Sequence, residues 1–248
     1  MNDTWKDFFS HPDYTRFAGA IVGPERTRSE VRNIIDLLGL GPGGRILDLG
    51  CGNGRLAIPL AQAGYEVTGL DACQPLIEIA RQSAGWHNAK LSLINADMKE
   101  FGADRQFDAV INIGTAFGYV ASTADHKAAL RNVFEALAPG GTFLLETENR
   151  DHRVTTDRRI WFEMAGTLVW CDRGYDAVTG RWHERIDWLS DGKREHTEYS
   201  VRLYTLAELV SMVSDAGFTV KSTYGELSGI DYQLDSPRTV VLAQKPQL

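Results

Sequence analysis

The sequence predicts an α/β fold: a mostly parallel sheet with helices on both faces, closed by an antiparallel final hairpin and carrying a small antiparallel β insertion. Three observations carry this expectation. Short apolar runs alternate with stretches of helical periodicity through residue 146. The first of those runs stops at ILDLGCGNGR (46–55), with glycines at every second position where a strand gives way to a helix. The last two apolar runs, 218–224 and 239–243, have no helix between them and can pair as antiparallel neighbours.

The elements follow in order. Thr27-Arg28-Ser29-Glu30 has the form of a capping box, ahead of Val31, Ile34, Ile35 and Leu38 at helical spacing. Gly39 and Gly41-Pro42-Gly43-Gly44 end that helix. Residues 45–49 read as a strand buried on both faces. Residues 56–63 are helical, with Pro59 tolerable in the first turn. A strand at 65–70 leads to Asp71, and Pro75 opens the next helix. Strands at 91–94 and 107–113 come next, then a helix over 123–137 that Pro139-Gly140-Gly141 stops, then a fifth strand at 142–146. Between 160 and 204 the pattern changes to alternation. RWHERIDWL (181–189) places Trp182, Ile186 and Trp188 on one face, and 195–204 places Tyr199, Val201 and Leu203 on one side. Asp191-Gly192 between them is a hairpin signal, so a three-stranded antiparallel insertion is expected. Thr205-Leu206-Ala207-Glu208 is a second capping box, for a helix that Gly217 ends.

With 248 residues, 43% of them hydrophobic, the chain can bury a large core as a single domain. It has no run of about 18 apolar residues, and its first residues lack a basic start and an apolar leader. No membrane partner is expected, and the N-terminus reads as mature sequence. A formal charge of −7 and a pI near 5.4 weigh against nucleic acid. Three cysteines without paired spacing fit a reducing cytoplasm, and six scattered histidines give no metal site.

Ligands of parallel sheets bind beyond the carboxyl ends of the strands. That rule selects residues 50–54, Asp71, Asp97, 114–119 and 147–150. A glycine turn there lets a ligand approach backbone N–H groups at a helix end. The dinucleotide fingerprint is GxGxxG, whereas this turn is GxGxG preceded by Asp48. Asp71 can accept from ribose hydroxyls in either case and does not by itself separate a dinucleotide from another nucleoside.

The motifs DLGCGNGR, GLD ending at Asp71, Ala96-Asp97-Met98, FDAVIN before Gly114 and LAPGGTFLLE stand in order between residues 40 and 150. Together they resemble the class I S-adenosylmethionine-dependent methyltransferases, whose fold is a Rossmann-like seven-stranded sheet ending in an antiparallel hairpin. WKDFF, YTRF, INIGTAFGY, LYTLAEL and DSPRTVVLAQK look like a bacterial small-molecule group within them, similar in architecture to the N-methyltransferases of amino sugars and glycine. The resemblance implies S-adenosyl-L-methionine as cofactor. It places Gly50, Cys51 and Gly52 at the methionine part and Asp48 behind them. It puts Asp71 on the ribose, Ala72 and Leu76 on the adenine, Asp97 at the adenine amino group and Met98 at a ring nitrogen. The backbone near Asn112 and Ile113 would take the ammonium, and Tyr14 or Arg16 the carboxylate. Cys51 reads as a small filler rather than a nucleophile.

Methyl transfer from a sulfonium needs aligned reactants about 3–3.5 Å apart and, for an amine acceptor, no strong base. The catalytic residue is left unknown, with His11, Tyr119 and Tyr232 as candidates. Phe117, Tyr119, Arg150, Trp170 and Tyr232 are expected around a small-molecule acceptor. Residues 1–26 would form a lid, and 155–204 an insertion near the acceptor, whose tryptophans form a small core and part of a wall. The NPPY-type sequence of many DNA-methylating enzymes is absent after the fourth strand, where NIGTAFGY stands. A peptide acceptor, a cofactor-binding protein without transfer and a nicotinamide oxidoreductase are the competing readings. Monomer and homodimer both remain open.

Overall fold

The computed structural model describes residues 4–102, 106–120 and 122–247; positions 1–3 of the expected lid lie outside them. Three helices come first: α1 (Thr4–Ser10), α2 (Tyr14–Ile21) and α3 (Pro24–Leu38). α3 starts a turn earlier than the capping-box reading. Gly23 is its cap and Pro24 takes the first helical position, so Thr27 lies inside the helix with its N–H on the Gly23 carbonyl at 3.1 Å. Its end is as expected, with Gly39 left-handed at φ 58°.

The central unit is β1 (Arg45–Leu49), α4 (Ala57–Gln62), β2 (Glu66–Asp71), α5 (Gln74–Trp86), β3 (Leu91–Asn95), β4 (Phe107–Asn112), α6 (Thr123–Ala136) and β5 (Leu137–Glu148). After α7 (Arg150–Arg153) come β6 (Arg159–Met164), β7 (Thr167–Asp176), β8 (Arg181–Ser190) and β9 (Lys193–Arg202). α8 (Leu206–Asp215), β10 (Thr219–Tyr224) and β11 (Arg238–Gln244) complete the chain. The larger sheet has the order β10-β11-β5-β4-β1-β2-β3, with β11 antiparallel to both neighbours and the other pairs parallel. β5 takes in the expected stop Pro139-Gly140-Gly141. The Gly140 N–H bonds to the Lys245 carbonyl at 3.0 Å and the Lys245 N–H to the Gly141 carbonyl at 2.9 Å, which carries pairing through the turn signal.

Successive residues of the inner strands face opposite ways, and both faces are covered. Leu47, Val110, Phe143 and Val241 meet α6 and α8 residues such as Val133 and Leu209 on one side. Ile46, Ile111 and Leu144 meet Ile34 and Leu60 on the other. A sheet sealed on both faces leaves its carboxyl edge as the place for a site.

The second sheet is antiparallel with the order β6-β7-β8-β9, one strand more than expected. Its first hairpin turns at Ala165 and Gly166, both at positive φ (51° and 77°), and Ala165 carries none of the usual turn chemistry. Phe17 of α2 packs with Met164, Val169, Cys171 and Trp188 on its inner face. The tryptophans do not form one core. Trp182 and Trp188 are buried, whereas Trp161 and Trp170 are 70% and 41% exposed on the opposite face. No helix among the described residues is long and apolar enough to cross a membrane.

Candidate functional site

The loop after β1 keeps its N–H groups engaged within the protein. The Gly50 and Cys51 N–H groups both bond to the Leu70 carbonyl, at 2.7 and 3.0 Å, and the Gly54 N–H bonds to the Cys51 carbonyl at 3.0 Å. The Gly52 N–H donates to Asp71 Oδ2 at 2.8 Å. A diphosphate bound at such a turn needs free N–H donors, and these four are taken. Gly50 (φ 83°) and Gly52 (φ 55°) both take the left-handed backbone that favours glycine, and Gly50 is crowded as well. A Cβ on Gly50 would fall 2.5 Å from the Cβ of Ala116, so the protein's own loop excludes it. A Cβ on Gly52 would meet only Leu76 Cδ1, at 3.9 Å, but φ of 55° demands glycine there.

Asp71 is fixed by two backbone donors, Gly52 on Oδ2 and the Cys73 N–H on Oδ1 at 2.8 Å. Burial raises its pKa, against the pull of those two N–H groups. Asp48 lies deeper. Burial raises its carboxyl to about 7, Arg55 and the Ala57 N–H oppose that shift, and its Oδ2 has no hydrogen-bond partner among the described residues.

The loop after β4 is clamped from both sides. Asn112 donates to the Leu49 carbonyl at 2.6 Å and accepts from the Phe117 N–H at 3.1 Å, tying this loop to the one after β1. Gly114 and Thr115 both have positive φ, a strained state for threonine. Glu146 holds them: its Oε2 accepts from the Gly114 N–H at 2.6 Å, and its carbonyl accepts from the Thr115 N–H at 3.2 Å. Thr115 Oγ1 accepts from the Glu148 N–H at 2.9 Å. Burial alone would raise the Glu146 pKa, but the paired Arg238 guanidinium and the Gly114 N–H hold it below the usual range.

These loops border a cavity of about 740 Å³ at the carboxyl edge of the larger sheet, roofed by α1, α2 and the start of α3. That lies within the roughly 300–1,000 Å³ of small-molecule sites. Asp71, Ala72, Leu76, Asp97 and Met98 line the β2–β3 side, and Asp48, the glycine loop and Ile113 lie on the central wall. Arg28, the fifth residue of α3, also lines it. The β4 side is aromatic, with Trp5, Phe9 and Tyr119, and Tyr14 joins this cluster to the Asp71 side. Phe9 lies 5.1 Å from Tyr119 and 5.0 Å from Tyr14, ring centre to ring centre. Tyr199 of β9 backs the wall, 5.8 Å from Tyr119 and 4.9 Å from Phe8. Burial, then the charge of Asp71, pushes the Tyr14 phenol up to about 12. Burial, then Glu148, puts Tyr119 well above the usual value. Both phenols stay protonated near neutral pH.

Behind the aromatic wall Glu184 of β8 gathers four partners. It accepts from Tyr199 Oη at 3.0 Å, Trp182 Nε1 at 3.2 Å and Arg153 at 2.9 Å, and Arg173 Nε lies 3.1 Å away. Arg153 also stacks on Trp182 and reaches Glu148 at 3.2 Å. The Nε atoms of Arg153 and Arg173 approach carboxylates at angles too poor for hydrogen bonding, so those two contacts are ionic. Glu184 sits on the same face as Trp182 and Trp188, and a carboxylate on a tryptophan face is the signal that could have found it. Arg28 stands 22 residues before Gly50 on another element, and no local signal marks it as a cavity residue.

Several expected residues lie elsewhere. Phe117 is buried against His126 and Tyr204, at 4.8 and 6.0 Å. His11 packs edge-on against Trp188 at 4.8 Å and accepts from the Asp13 N–H. Tyr232 donates to Asn149 at 3.0 Å, Arg150 pairs with Asp151, and Arg16 pairs with Asp13 at 3.1 Å. Trp170 faces outward on the second sheet, and the side chain of Asn112 is committed to the loop clamp. None of these lines the cavity. Among the described residues no group of three or more His, Cys, Asp or Glu could hold a metal ion.

Residues 46–141 match the family described as Methyltransferase domain (Methyltransf_25). Among curated proteins, the "Putative methyltransferase YqeM" of Bacillus subtilis (strain 168) is 27% identical over 218 residues, 82% of this chain and 84% of its own length. Among solved structures, the CcbJ methyltransferase from Streptomyces caelestis superposes with a TM-score of 0.87 at 20% identity, over 99% of this chain and 100% of that one. The SAM-bound structure of CalS10, an amino pentose methyltransferase from Micromonospora echinaspora, gives 0.68 at 21% identity, over 89% and 90%. The two structural likenesses establish the fold.

Proposed function

Since this chain is a class I S-adenosylmethionine-dependent methyltransferase, we propose that it moves the methyl group to an N or O atom of a small-molecule acceptor by direct displacement. The observation that carries this reading is the division of one cavity into two chemistries. Carboxylates and apolar side chains line its β2–β3 side, Trp5, Phe9 and Tyr119 line the other, and Tyr14 stands between them within reach of the Asp71 and Arg55 charges. The first suits a nucleoside, the second an acceptor.

When bound, the cofactor supplies an electrophilic methyl on a sulfonium whose charge is lost as the methyl leaves. The residues divide the work of holding it. Asp71, already oriented by Gly52 and Cys73, accepts from the ribose hydroxyls. Asp97 accepts from the adenine amino group, with Met98, Ala72 and Leu76 on the ring faces. The main chain of Gly50, Cys51 and Gly52 has its N–H groups engaged and presents carbonyls, which suit an ammonium. The backbone at Ile113 lies on the same wall. Tyr14 and Arg28 take the carboxylate, Arg28 as the charge partner. Asp48 supports the loop from behind.

On the acceptor side the polar groups are phenols that remain protonated. They orient a lone pair by hydrogen bonding and do not remove a proton. Faces of Trp5, Phe9 and Tyr119 stabilise positive charge without opposing its movement from sulfur to acceptor, as a fixed carboxylate beside the sulfur would.

The test is turnover. The purified chain is incubated with S-adenosylmethionine and a panel of amines, phenols and hydroxylated small molecules. Mass spectrometry then reads the demethylated cofactor and a methylated acceptor. Cofactor binding in calorimetry with no turnover across the panel would favour a binding protein instead. Tyr119→Phe is expected to raise the acceptor KM and leave cofactor affinity unchanged. A parallel loss of both would remove Tyr119 from the acceptor side.

A further inference from the structure

β6 is an edge strand of the second sheet, and no strand among the described residues pairs with its free side. Edges of this kind are normally blunted by a bulge, a proline, charges of one sign or a covering element, and the two charges of β6, Arg159 and Glu163, are opposite in sign. β6 contains no proline, and its register with β7 runs without a shift from Arg159↔Asp172 to Met164↔Thr167. The outward face beside it sets four exposed apolar side chains among charged ones. Trp161 is 70% exposed, its cross-strand neighbour Trp170 41%, Leu168 43% and Leu189 47%. Exposed large apolar side chains gathered in one place, Trp161 directly opposite Trp170, mark a candidate interaction surface.

The strand sequence, Arg159-Ile160-Trp161-Phe162-Glu163-Met164, is self-complementary in one antiparallel register. With Trp161 on a two-fold axis, Arg159 stands opposite Glu163 of the second copy and Glu163 opposite its Arg159. Trp161 meets Trp161 on the outward face, and Ile160 meets Phe162 on the inward face. A slip of one residue would turn each outward side chain against an inward one. A slip of two sets Arg159 opposite Trp161, or Trp161 opposite Glu163, and loses the charge pairing. Arg159 is free to take part, because its pairing with Asp172 within the chain joins two exposed side chains of small worth.

We propose that β6 pairs with β6 of a second copy of this chain, joining the two four-stranded sheets into one continuous sheet across an isologous two-fold interface. The charges at its ends fix the register, and the tryptophans supply the apolar contact.

The test is the mass of the full chain by size-exclusion chromatography with light scattering, over a concentration series. The wild-type chain is expected at twice its 27.5 kDa. Arg159→Glu and Glu163→Arg each set like charges opposite one another and should weaken the dimer about tenfold or more. The double exchange Arg159→Glu/Glu163→Arg restores the pairing in reverse and should recover it. All three positions tested, including Trp161→Glu, are exposed strand residues, and circular dichroism checks that the variants fold. A wild-type monomer at every concentration overturns the proposal. So does a dimer indifferent to Trp161→Glu, or folded single variants that the double exchange fails to rescue.

Discussion

The two sides of the cavity are built by opposite means. At the carboxyl edge of the larger sheet, ligand-facing geometry comes from the main chain: glycine turns, engaged N–H groups and one acid held by two backbone donors. On the aromatic side it comes from side chains of distant elements, with Trp5 and Phe9 of α1 against Tyr119, and Tyr199 of β9 behind them. Buried carboxylates clasp arginine in both regions: Glu146 with Arg238 under the β4 loop, Glu184 with Arg153 and Arg173 behind the aromatic wall. The contrast suggests a division of labour. The half built from backbone can hold a constant cofactor, while the half built from side chains can change its acceptor without disturbing that.

The largest effect should come from breaking the second clasp. Glu184→Gln leaves Arg153 and Arg173 without their shared counter-charge and should cost about 3 kcal/mol or more in chemical denaturation, with cofactor affinity little changed. A loss of affinity of similar size would mean the two halves are energetically one. Next comes Asp71→Ala, expected to weaken cofactor binding in calorimetry by about 1.5–3 kcal/mol for each lost bond to the carboxylate. Unchanged affinity would take Asp71 out of the ribose contact.

A third test concerns Asp48. Its folded pKa is raised from 3.8 to about 7, with burial the leading cause. Between those two values the folded state holds a proton that the unfolded state has released, so stability falls as pH rises through that window and levels off above it. The slope is at most about 1.4 kcal/mol per pH unit. Asp48→Asn removes the titration, so the variant should gain on the wild type as pH rises from about 4 to 7. A pH-independent difference between them in thermal melts would show an ordinary carboxylate. Smallest of all, Arg150→Ala should change stability by no more than about 0.5 kcal/mol and leave turnover unchanged. A clear loss of activity would return Arg150 to the acceptor side.

The larger sheet and its loops were legible because their signals are local. An apolar run ending in Gly or Asp announces both the strand and the position beyond it, as at Leu49-Gly50 and Leu70-Asp71. What sequence reading missed depends on pairing across distance. β6 stayed hidden because Ala165-Gly166 lacks the Asp-Gly chemistry that marked Asp191-Gly192. Glu184 carried no local signal of its pairing, because its partners Arg153 and Arg173 come from α7 and β7. Phe117 and Tyr119 were indistinguishable as aromatics after a strand. The clamp from Asn112 to the Phe117 N–H begins a tight helical turn over Ala116–Tyr119 that buries the first and gives the second to the cavity.

The most direct measurement is a crystal structure of the chain with S-adenosylhomocysteine bound. Expected are the ribose hydroxyls on Asp71, the adenine between Leu76 and Met98 with its amino group at Asp97, and the sulfur facing Tyr119 across open space. A sulfur directed away from the aromatic wall, or a nucleoside bound without Asp71, would contradict the assignment of the two halves.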